Sequence, residues 1–304
     1  MPVIIPRELP AKAQLEKENI FVMTEGRAKT QEIRPLSIGI LNLMPNKEET
    51  ELELLRLISN TPLQVEITLL QTGSYQATHT AEGHLNSFYL TFEQAVKDGR
   101  KFDGLIITGA PVEQMEFEEV KYWDELVSIM EWAQSNVFST LYICWGAIAA
   151  LHYFYGIKKV SLDKKLSGIY RHHTLKRSNP LVRNFDEYFN APHSRHSGID
   201  VKATKKEKDL IILAENEEVG PYLIISKDRR KVFVLGHGEY DKYTLDNEYK
   251  RDMALGSEDV EKPINYYENG QPVLSWRAHS SLLMSNWLNY YVYQETPYDI
   301  KTIK

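Results

Sequence analysis

The sequence contains a single cysteine, Cys144, among 304 residues. One thiol excludes an intrachain disulfide framework and any zinc site built from several cysteines. No stretch approaches the ~20 consecutive apolar residues that cross a bilayer. The N-terminal apolar run is too short for a signal peptide and is interrupted by prolines. We therefore expect a cytoplasmic protein with no membrane partner.

The chain also has fewer basic than acidic residues. The chain has 36 Lys and Arg against 42 Asp and Glu, for a net charge of −6. This balance argues against nonspecific nucleic-acid binding through bulk charge, so we expect no nucleic-acid partner. Apolar residues make up 42% of the chain and charged residues 26%, as in soluble globular proteins.

Short apolar runs alternate with amphipathic segments between residues 36 and 154. Strands are predicted at 36–44, 63–70, 102–109 and 140–144, and helices at 48–59, 92–98, 122–135 and 146–154. This alternation is typical of a parallel sheet covered by helices on both faces. Further along the chain we predict strands at 166–175, 210–215, 221–226 and 231–236, and helices at 243–255 and 279–294. The pattern predicts a doubly wound, mostly parallel α/β fold with β-rich additions.

The ends of the chain differ from this pattern. Prolines at positions 2, 6 and 10 predict an extended arm over residues 1–12. We therefore expect an N-terminal arm (1–35), a single α/β domain (36–298) and a C-terminal tail (299–304). The only basic run, Lys202–Lys208, is interpreted as a solvated turn.

Cys144 lies at the end of a predicted strand and directly before a helix. This position aims its sulfur at the carboxyl edge of the sheet, where open α/β folds bind ligands. The arrangement parallels the nucleophile elbow of hydrolases, although Tyr142 stands where that elbow has its first glycine. A buried core cysteine is an equally good interpretation of the residue taken alone.

His237 and Glu239 flank one glycine after the strand predicted at 231–236. Both side chains can turn toward one cleft, where a histidine takes the thiol proton and a glutamate orients the imidazole. A His-x-Glu sequence is common by chance. Here, however, it follows one predicted strand, while the only cysteine lies at the end of another. Together they favour a Cys-His-Glu triad.

The remaining paired histidines do not indicate a metal centre, because no acidic residue stands at ligand spacing from them. These histidines are His172, His173, His193 and His196. We therefore expect no metal and no permanently bound cofactor.

A cysteine elbow followed by a strand-end His-x-Glu resembles the class I glutamine amidotransferase-like superfamily. Other segments narrow the resemblance, among them ILNLMP, FDGLIITGAPVE, ICWGA, KLSGIY, APHSRH and GHGEYD. Together they resemble the homoserine O-acyltransferase family of methionine biosynthesis, over nearly the whole chain. Gly238 departs from that family, since many members have proline between the triad histidine and glutamate.

The resemblance implies roles for single residues. Cys144 would carry the acyl group as a thioester, His237 would be the general base, and Glu239 would orient it. Three more positions match residues that contact the substrate: Lys165, Ser194 and Arg251. Glu113 matches the position linked to the choice of acyl-CoA.

Two further assignments come from the chemistry that this family would need. Glu248 lies three residues before Arg251 on one predicted helix, so the two share a face, and it would hold a substrate ammonium. The N–H groups of Trp145 and of a residue near Val112 are the candidate oxyanion donors.

The resemblance implies transfer of an acetyl group from acetyl-CoA to the γ-hydroxyl of L-homoserine, by a homodimer. Acetyl-CoA would be a co-substrate. Use of succinyl-CoA is the main alternative, and a glutaminase or cysteine hydrolase is a second one that Tyr142 disfavours. An inactive relative acting as a binding protein is a third, disfavoured by the presence of all three triad residues.

Overall fold

The computed structural model describes residues 3–18, 22–24, 34–75, 80–297 and 299–303. Its α-helices are α1 (Ala11–Lys17), α2 (Lys47–Ile58), α3 (Glu82–Phe88), α4 (Phe92–Lys97), α5 (Trp123–Asn136), α6 (Trp145–Tyr155), α7 (Val201–Lys206), α8 (Thr244–Ala254) and α9 (Arg277–Asn286). A π-helix, Trp287–Tyr293, continues α9, and short 3-10 helices span Phe117–Glu119, Pro180–Val182 and Ile300–Thr302.

The strands are β1 (Val3–Ile5), β2 (Val22–Thr24), β3 (Leu36–Leu41), β4 (Val65–Gln71), β5 (Tyr89–Thr91), β6 (Phe102–Ile107), β7 (Val137–Ile143), β8 (Lys159–Thr174), β9 (Tyr188–Ile199), β10 (Leu210–Asn216), β11 (Gly220–Ser226), β12 (Lys231–Val234), β13 (Tyr267–Glu268) and β14 (Gln271–Pro272). The main sheet has the order β2-β1-β4-β3-β6-β7-β12-β11-β10-β8-β9, with β5 beside β4. Pairing is parallel from β2 to β12 and antiparallel from β12 to β9. The predicted mostly parallel α/β fold with β-rich additions is therefore confirmed.

The central strands are buried on both faces, which is why their sequences are continuous apolar runs. In β7, Leu141 and Ile143 pack on the side of α2 and the C-terminal π-helix, in one core with Trp287. Tyr142 points to the opposite side and stacks on Phe233 of β12, with ring centroids 5.3 Å apart. Each face of the sheet therefore carries its own apolar core.

Two local predictions are wrong. The Lys202–Lys208 run was expected to be a solvated turn, but its residues up to Lys206 belong to the helix Val201–Lys206. The Asp200 side chain caps this helix by accepting a hydrogen bond from Ala203 N–H. The N-terminal segment is more than an extended arm, since Val3–Ile5 joins the sheet between β2 and β4 and a helix begins at Ala11. Within the predicted N-terminal arm (1–35), residues 1–2, 19–21 and 25–33 lie outside the described residues. The division of the chain at residues 35 and 298 stays a prediction.

The sheet order sets the place of the candidate site. Strands β3, β6, β7 and β12 are consecutive neighbours, so their carboxyl ends meet at one edge. The β8–β9 hairpin, with Leu166 opposite Arg195 and Ser167 opposite Ser194, approaches the same edge from the antiparallel half of the sheet. None of the helices in the described part of the chain combines the length and apolarity needed to cross a membrane.

Candidate active site

Cys144 occupies a sharp turn between β7 and α6. Its backbone has φ 49° and ψ −116°, a conformation that residues other than glycine rarely adopt. The turn is held on both sides: Cys144 N–H donates to Val234 O at 2.8 Å, and Ile148 N–H donates to Cys144 O at 3.0 Å as α6 begins. Such strain is kept only where the surrounding structure enforces it, and it is characteristic of a nucleophile elbow.

Two glycines allow the backbone to close around this cysteine. A Cβ on Gly109, after β6, would lie 3.3 Å from Cys144 Cβ and 3.7 Å from His237 Cε1. A Cβ on Gly146 would lie 2.6 Å from Thr108 O and 3.1 Å from Ile107 O. The start of α6 therefore rests directly on the end of β6, which is possible only without a side chain at position 146.

We expect Gly146→Ala to lower the free energy of unfolding by about 1–3 kcal/mol, because the new methyl group meets a backbone oxygen that cannot rotate away. Denaturant unfolding followed by circular dichroism measures this. The matched control is Gly83→Ala in α3, where a Cβ meets nothing within 4 Å and the helix gains slightly. Equal stability of the Gly146→Ala variant and the wild type would contradict the close packing.

His237 and Glu239 lie beside the elbow, after β12. His237 Nδ1 is 2.6 Å from Glu239 Oε1, and the imidazole also hydrogen-bonds to Cys144. The His237 N–H donates to Pro192 O at 2.9 Å, which fixes the loop against β9. The ring also stacks on Tyr240, with centroids 4.2 Å apart. The structure thus brings the three residues of the predicted triad together, and their catalytic roles stay predictions.

The electrostatics favour a charged imidazole. Burial opposes protonation of His237, but the charges of Cys144 and Glu239 and their hydrogen bonds outweigh it and hold the imidazole pKa well above its usual range. The site therefore favours a charged His237 imidazolium beside Glu239.

A second carboxyl lies behind the triad and escaped the sequence analysis. Glu53 of α2 accepts hydrogen bonds from Asp241 N–H at 3.1 Å and from the Thr244 hydroxyl at 2.6 Å. Burial and the nearby charge of Glu239 raise the pKa of Glu53 to about 8, so it is protonated at neutral pH. It anchors the loop that carries Glu239 without placing a second negative charge beside it.

The four predicted substrate residues form one wall of polar side chains. Lys165 Nζ lies 2.6 Å from Asp252 Oδ2 and 3.7 Å from Glu248 Oε2. Glu248 accepts hydrogen bonds from the Ser194 hydroxyl and, at 2.8 Å, from Tyr240 OH. Arg251 binds the neighbouring Asp252 carboxylate through Nε and Nη2, at 2.9 and 2.7 Å.

The prediction that Glu248 and Arg251 share one helix face is correct, but their partners differ from those expected. Glu248 is engaged by Ser194 and Tyr240, whereas Arg251 is engaged by Asp252 and remains largely exposed at the cleft. Asp252 and Tyr240 also belong to this wall but were not predicted from the sequence. The signal available for them was their position: Asp252 is one helical turn after Glu248, and Tyr240 directly follows Glu239.

Two adjoining cavities meet at the triad. One of about 410 Å³ contains Cys144 and is lined by residues from the β6 loop, the β8–β9 hairpin and α8. The other, of about 460 Å³, lies on the Glu239 side toward α2. His237, Tyr240, Glu248 and Arg251 border both, so a substrate that reaches across them would pass the imidazole.

The predicted acyl-specificity and oxyanion residues are at the Cys144 cavity or beside it. Glu113 and Val112 line the cavity, and Trp145 begins α6 directly after the cysteine. The Glu113 carboxylate is bound by β9: its Oε2 accepts from His196 N–H at 2.8 Å and from the N–H and hydroxyl of Ser197, both at 3.1 Å. The Glu113 carboxylate is therefore held by hydrogen bonds to β9 at the side of the cleft.

The histidines that were considered as metal ligands have other partners. His172 and His193 are buried with their Nε2 atoms 3.1 Å apart, and burial lowers the pKa of His172 to about 4 and that of His193 well below its usual range. Such a pair is neutral, with one ring donating to the other. Among the described residues, no group of three or more His, Cys, Asp or Glu side chains is placed to hold a metal ion.

The family model for homoserine O-succinyltransferase matches residues 2–298. The chain belongs to the homoserine O-succinyltransferase family. A homoserine O-acetyltransferase of Lachnoclostridium phytofermentans is 57% identical over 304 residues, covering 99% of this chain and all of the relative. A homoserine O-succinyltransferase of Aeromonas salmonicida is 53% identical over 307 residues, covering all of this chain and 97% of the relative. Similar members of the family therefore carry names with either acyl group.

Solved structures of low sequence identity share the fold of this homoserine O-succinyltransferase family member. A glutamine amidotransferase from Thermotoga maritima superposes with a TM-score of 0.56 at 11% identity, covering 84% of this chain and 98% of that one. A glutamine amidotransferase from Methylobacillus flagellatus gives 0.52 at 10% identity, covering 85% and 95%. At such identities the likeness shows the glutamine amidotransferase-like fold alone.

Proposed function

We propose that this protein transfers an acetyl group from acetyl-CoA to the γ-hydroxyl of L-homoserine, and so serves methionine biosynthesis. The observation that carries the proposal is the hydrogen-bonded set Cys144–His237–Glu239. Cys144 and His237 line one cavity together with Lys165 and Arg251. Membership of the family and full-length similarity to homoserine O-acetyltransferases support the choice of substrates. The expected cytoplasmic location and homodimer stay predictions.

The first half of the reaction needs a thiolate and an acid. The Cys144 thiolate attacks the carbonyl carbon of acetyl-CoA, and the bond from that carbon to the CoA sulfur breaks. His237, held as an imidazolium, gives its proton to the departing sulfur, so CoA leaves as a thiol. The products of this half are an acetyl thioester on Cys144 and a neutral imidazole.

Acylation itself prepares the second half. Once Cys144 is a thioester, its negative charge no longer supports the imidazolium, so the pKa of His237 falls. The neutral imidazole then takes the proton of the homoserine γ-hydroxyl while that oxygen attacks the thioester. O-acetyl-L-homoserine leaves, and the thiolate–imidazolium pair is restored.

Both halves pass through a tetrahedral oxyanion next to Cys144. The Trp145 N–H at the start of α6 is one donor in this proposal, because a helix N-terminus presents free N–H groups and a positive dipole end. The second donor comes from the loop after β6, where Val112 lines the cavity. Gly109 of the same loop lies so near the cysteine that a Cβ on it would be 3.3 Å from Cys144 Cβ, which brings this backbone close to the nucleophile.

The polar wall suits an amino acid with its two charges. Arg251 reaches the cleft with its planar guanidinium, which matches the geometry of a substrate carboxylate. Glu248 holds the ammonium, with Ser194 and Tyr240 fixing the orientation of its carboxylate. Lys165 lies between Glu248 and Asp252 and keeps these two carboxylates from repelling each other.

The proposal is tested by incubating the purified protein with acetyl-CoA and L-homoserine and following O-acetylhomoserine by mass spectrometry. We expect steady product formation, and only one acetyl group per chain when homoserine is left out. Continuous release of CoA without homoserine would indicate a hydrolase instead. Steady hydrolysis of glutamine, with no acyl transfer, would support the glutaminase alternative.

Arg251→Lys is expected to raise the homoserine KM by about tenfold or more, because lysine keeps the charge but loses the planar fork that grips a carboxylate. The rate of Cys144 acetylation, measured by rapid quench without homoserine, should stay near that of the wild type. Lys250→Arg is the matched control, since Lys250 lies on the same helix, pairs with Asp246 and is exposed. An unchanged homoserine KM in Arg251→Lys would remove this arginine from the substrate site.

A further inference from the structure

A third cavity, of about 540 Å³, lies on the face of the β8–β9 hairpin that points away from the triad. It is lined by α7, by the turn between β10 and β11, and by the hairpin face that carries Leu166 and Arg195. Their chain neighbours Lys165, Ser194 and His196 line the cavity of the nucleophile instead, because side chains alternate across a strand. Among the described residues, these two cavities have no lining residue in common.

Arg195 brings a buried positive charge to this third cavity. It lines the cavity and is only 4% exposed. Three of its five N–H groups have acceptors: Nε donates to His193 Nδ1 at 3.4 Å, Nη1 to Ser197 O at 2.6 Å and Nη2 to Val219 O at 2.8 Å. One N–H on each terminal nitrogen is therefore left without an acceptor among the described residues. Each of these two groups can donate to a carboxylate oxygen.

The partners of this guanidinium do not balance its charge. Two of its acceptors are backbone carbonyls, and the third is His193, which burial keeps neutral. Burial lowers the pKa of Arg195, and the charges of Cys144 and Glu113 oppose this effect only in part. Because a buried charge without a counterion is costly, an anion that entered the cavity would be attracted to this position.

Gly198 leaves the guanidinium accessible from the cavity. A Cβ at position 198 would lie 3.0 Å from Arg195 Nη1, and the glycine itself lines the cavity. A larger residue here would stand between the charge and the open space. The absence of a side chain at this position therefore provides a route for a ligand to Nη1.

The walls around this charge are apolar. The hairpin side of the cavity includes Val160, which is 43% exposed although its side chain is purely hydrocarbon. The other apolar lining residues are half-buried or buried, and they are Leu162, Leu166, Ile199, Pro221 and Leu235. A ligand with a hydrocarbon part would remove this surface from water, which is favourable in proportion to the area covered.

The rim of the cavity carries charges of both signs. Lys205 of α7 pairs with Glu215 of β10 at 2.8 Å. Lys202, Glu217 and Glu218 also line the cavity but are exposed, so water and salt screen their charges. Among the described lining residues, Arg195 is the only charged side chain that is buried. The sign of the interior is therefore set by this arginine.

We propose that this cavity is a binding site for a small monocarboxylate with an apolar body. The carboxylate pairs with the free N–H groups of Arg195, and the hydrocarbon part lies along the apolar wall formed by Val160, Leu162 and Leu166. Affinity needs both parts, because the charge selects the head of the ligand and the wall selects its body. The site lies apart from the triad, so the inference does not depend on the proposed acyl transfer.

The test is isothermal titration calorimetry of the full chain with hexanoate as the probe. We expect one hexanoate per chain, bound at least about tenfold more tightly than 1-hexanol, which lacks the charge, and than acetate, which lacks the body. Hexylammonium, with the same body and the opposite charge, should bind more weakly than hexanol. Inorganic phosphate serves as the probe for an anion without an apolar part, and it should bind no more tightly than acetate.

Two variants change the binding position by different means. Arg195→Gln removes the charge and should weaken hexanoate binding by about tenfold or more, with little change for hexanol. Because Arg195 also holds two backbone carbonyls, thermal unfolding must first show that this variant is folded. Gly198→Ala keeps the arginine but covers Nη1, and it should weaken hexanoate binding several-fold even if Arg195→Gln does not fold. Arg171→Gln is the matched control, since Arg171 of the same hairpin is exposed and stacks on Tyr188.

Four results would overturn the inference. Equal affinity for hexanoate and hexanol would mean that the charge of Arg195 plays no part, and equal affinity for hexanoate and acetate would mean the same for the apolar wall. An unchanged hexanoate affinity in Gly198→Ala would show that the ligand does not approach Nη1. Loss of hexanoate binding in Arg251→Gln, where the guanidinium faces the cavity of the nucleophile, would place the anion there instead.

Discussion

Cys144→Ala should reduce acyl transfer to homoserine by at least about a thousandfold, because the reaction then has no covalent carrier for the acyl group. The chain has no other thiol that could substitute. Intact mass after brief exposure to acetyl-CoA should show one added acetyl group on the wild type and none on the variant. The product assay and the mass measurement together test both the nucleophile and the two-step route.

The appropriate control for this variant is its fold. Cys144 is 3% exposed and sits in a strained turn, so a loss of activity could follow from misfolding. Alanine is smaller and uncharged, and thermal unfolding should remain cooperative with a melting temperature within a few degrees of the wild type. Full activity in a folded Cys144→Ala protein would exclude the thioester, whereas an acetyl group that is found on another residue would relocate the nucleophile.

The central half of the fold could be predicted because its strands are buried on both faces. Apolar runs such as Phe102–Ile107 and Val137–Ile143 are followed by turns and helices, which identifies a parallel sheet. The triad followed from the same logic, since Cys144 and His237 each come directly after such a run. The sheet order, which makes β7 and β12 neighbours, could not be derived from local pattern because it depends on long-range pairing.

Strand β9 was not predicted from the sequence. Tyr188–Ile199 contains Pro192 and several polar residues, so it lacks the alternation that identifies a strand. It is an edge strand of the sheet, where a proline is tolerated because one row of backbone groups has no strand partner. That proline's carbonyl accepts the His237 N–H, and the next residues supply Ser194 and the donors for Glu113. The role of Glu113 was therefore predicted from a family resemblance, but its binding to β9 became visible only in the structure.

His237→Asn and Glu239→Gln should separate the base from its orienter. Asparagine cannot exchange a proton with substrate, so we expect His237→Asn to lose at least about a thousandfold in kcat/KM for homoserine. In the wild type, His237 Nδ1 lies 2.6 Å from the Glu239 carboxylate. The side-chain oxygen of a glutamine at position 239 can still accept this hydrogen bond. Glu239→Gln should therefore retain measurable turnover, with a loss between tenfold and a thousandfold, on the order of a positioning defect.

The pH dependence of acetyl transfer to homoserine is the most direct test of the pairing between His237 and Glu239. Burial opposes the imidazolium, whereas Cys144 and Glu239 raise the pKa of His237. In the acetylated enzyme Cys144 is uncharged, so only Glu239 still raises the pKa of His237. Transfer of the acetyl group to homoserine needs the neutral imidazole. The rate of this transfer therefore falls as the pH drops through the His237 pKa. Removing the carboxylate charge in Glu239→Gln lowers that pKa and moves the acid limb of single-turnover transfer to lower pH. An acid limb that stays in place, or moves to higher pH, would mean that Glu239 does not stabilise the imidazolium, even if the variant loses activity.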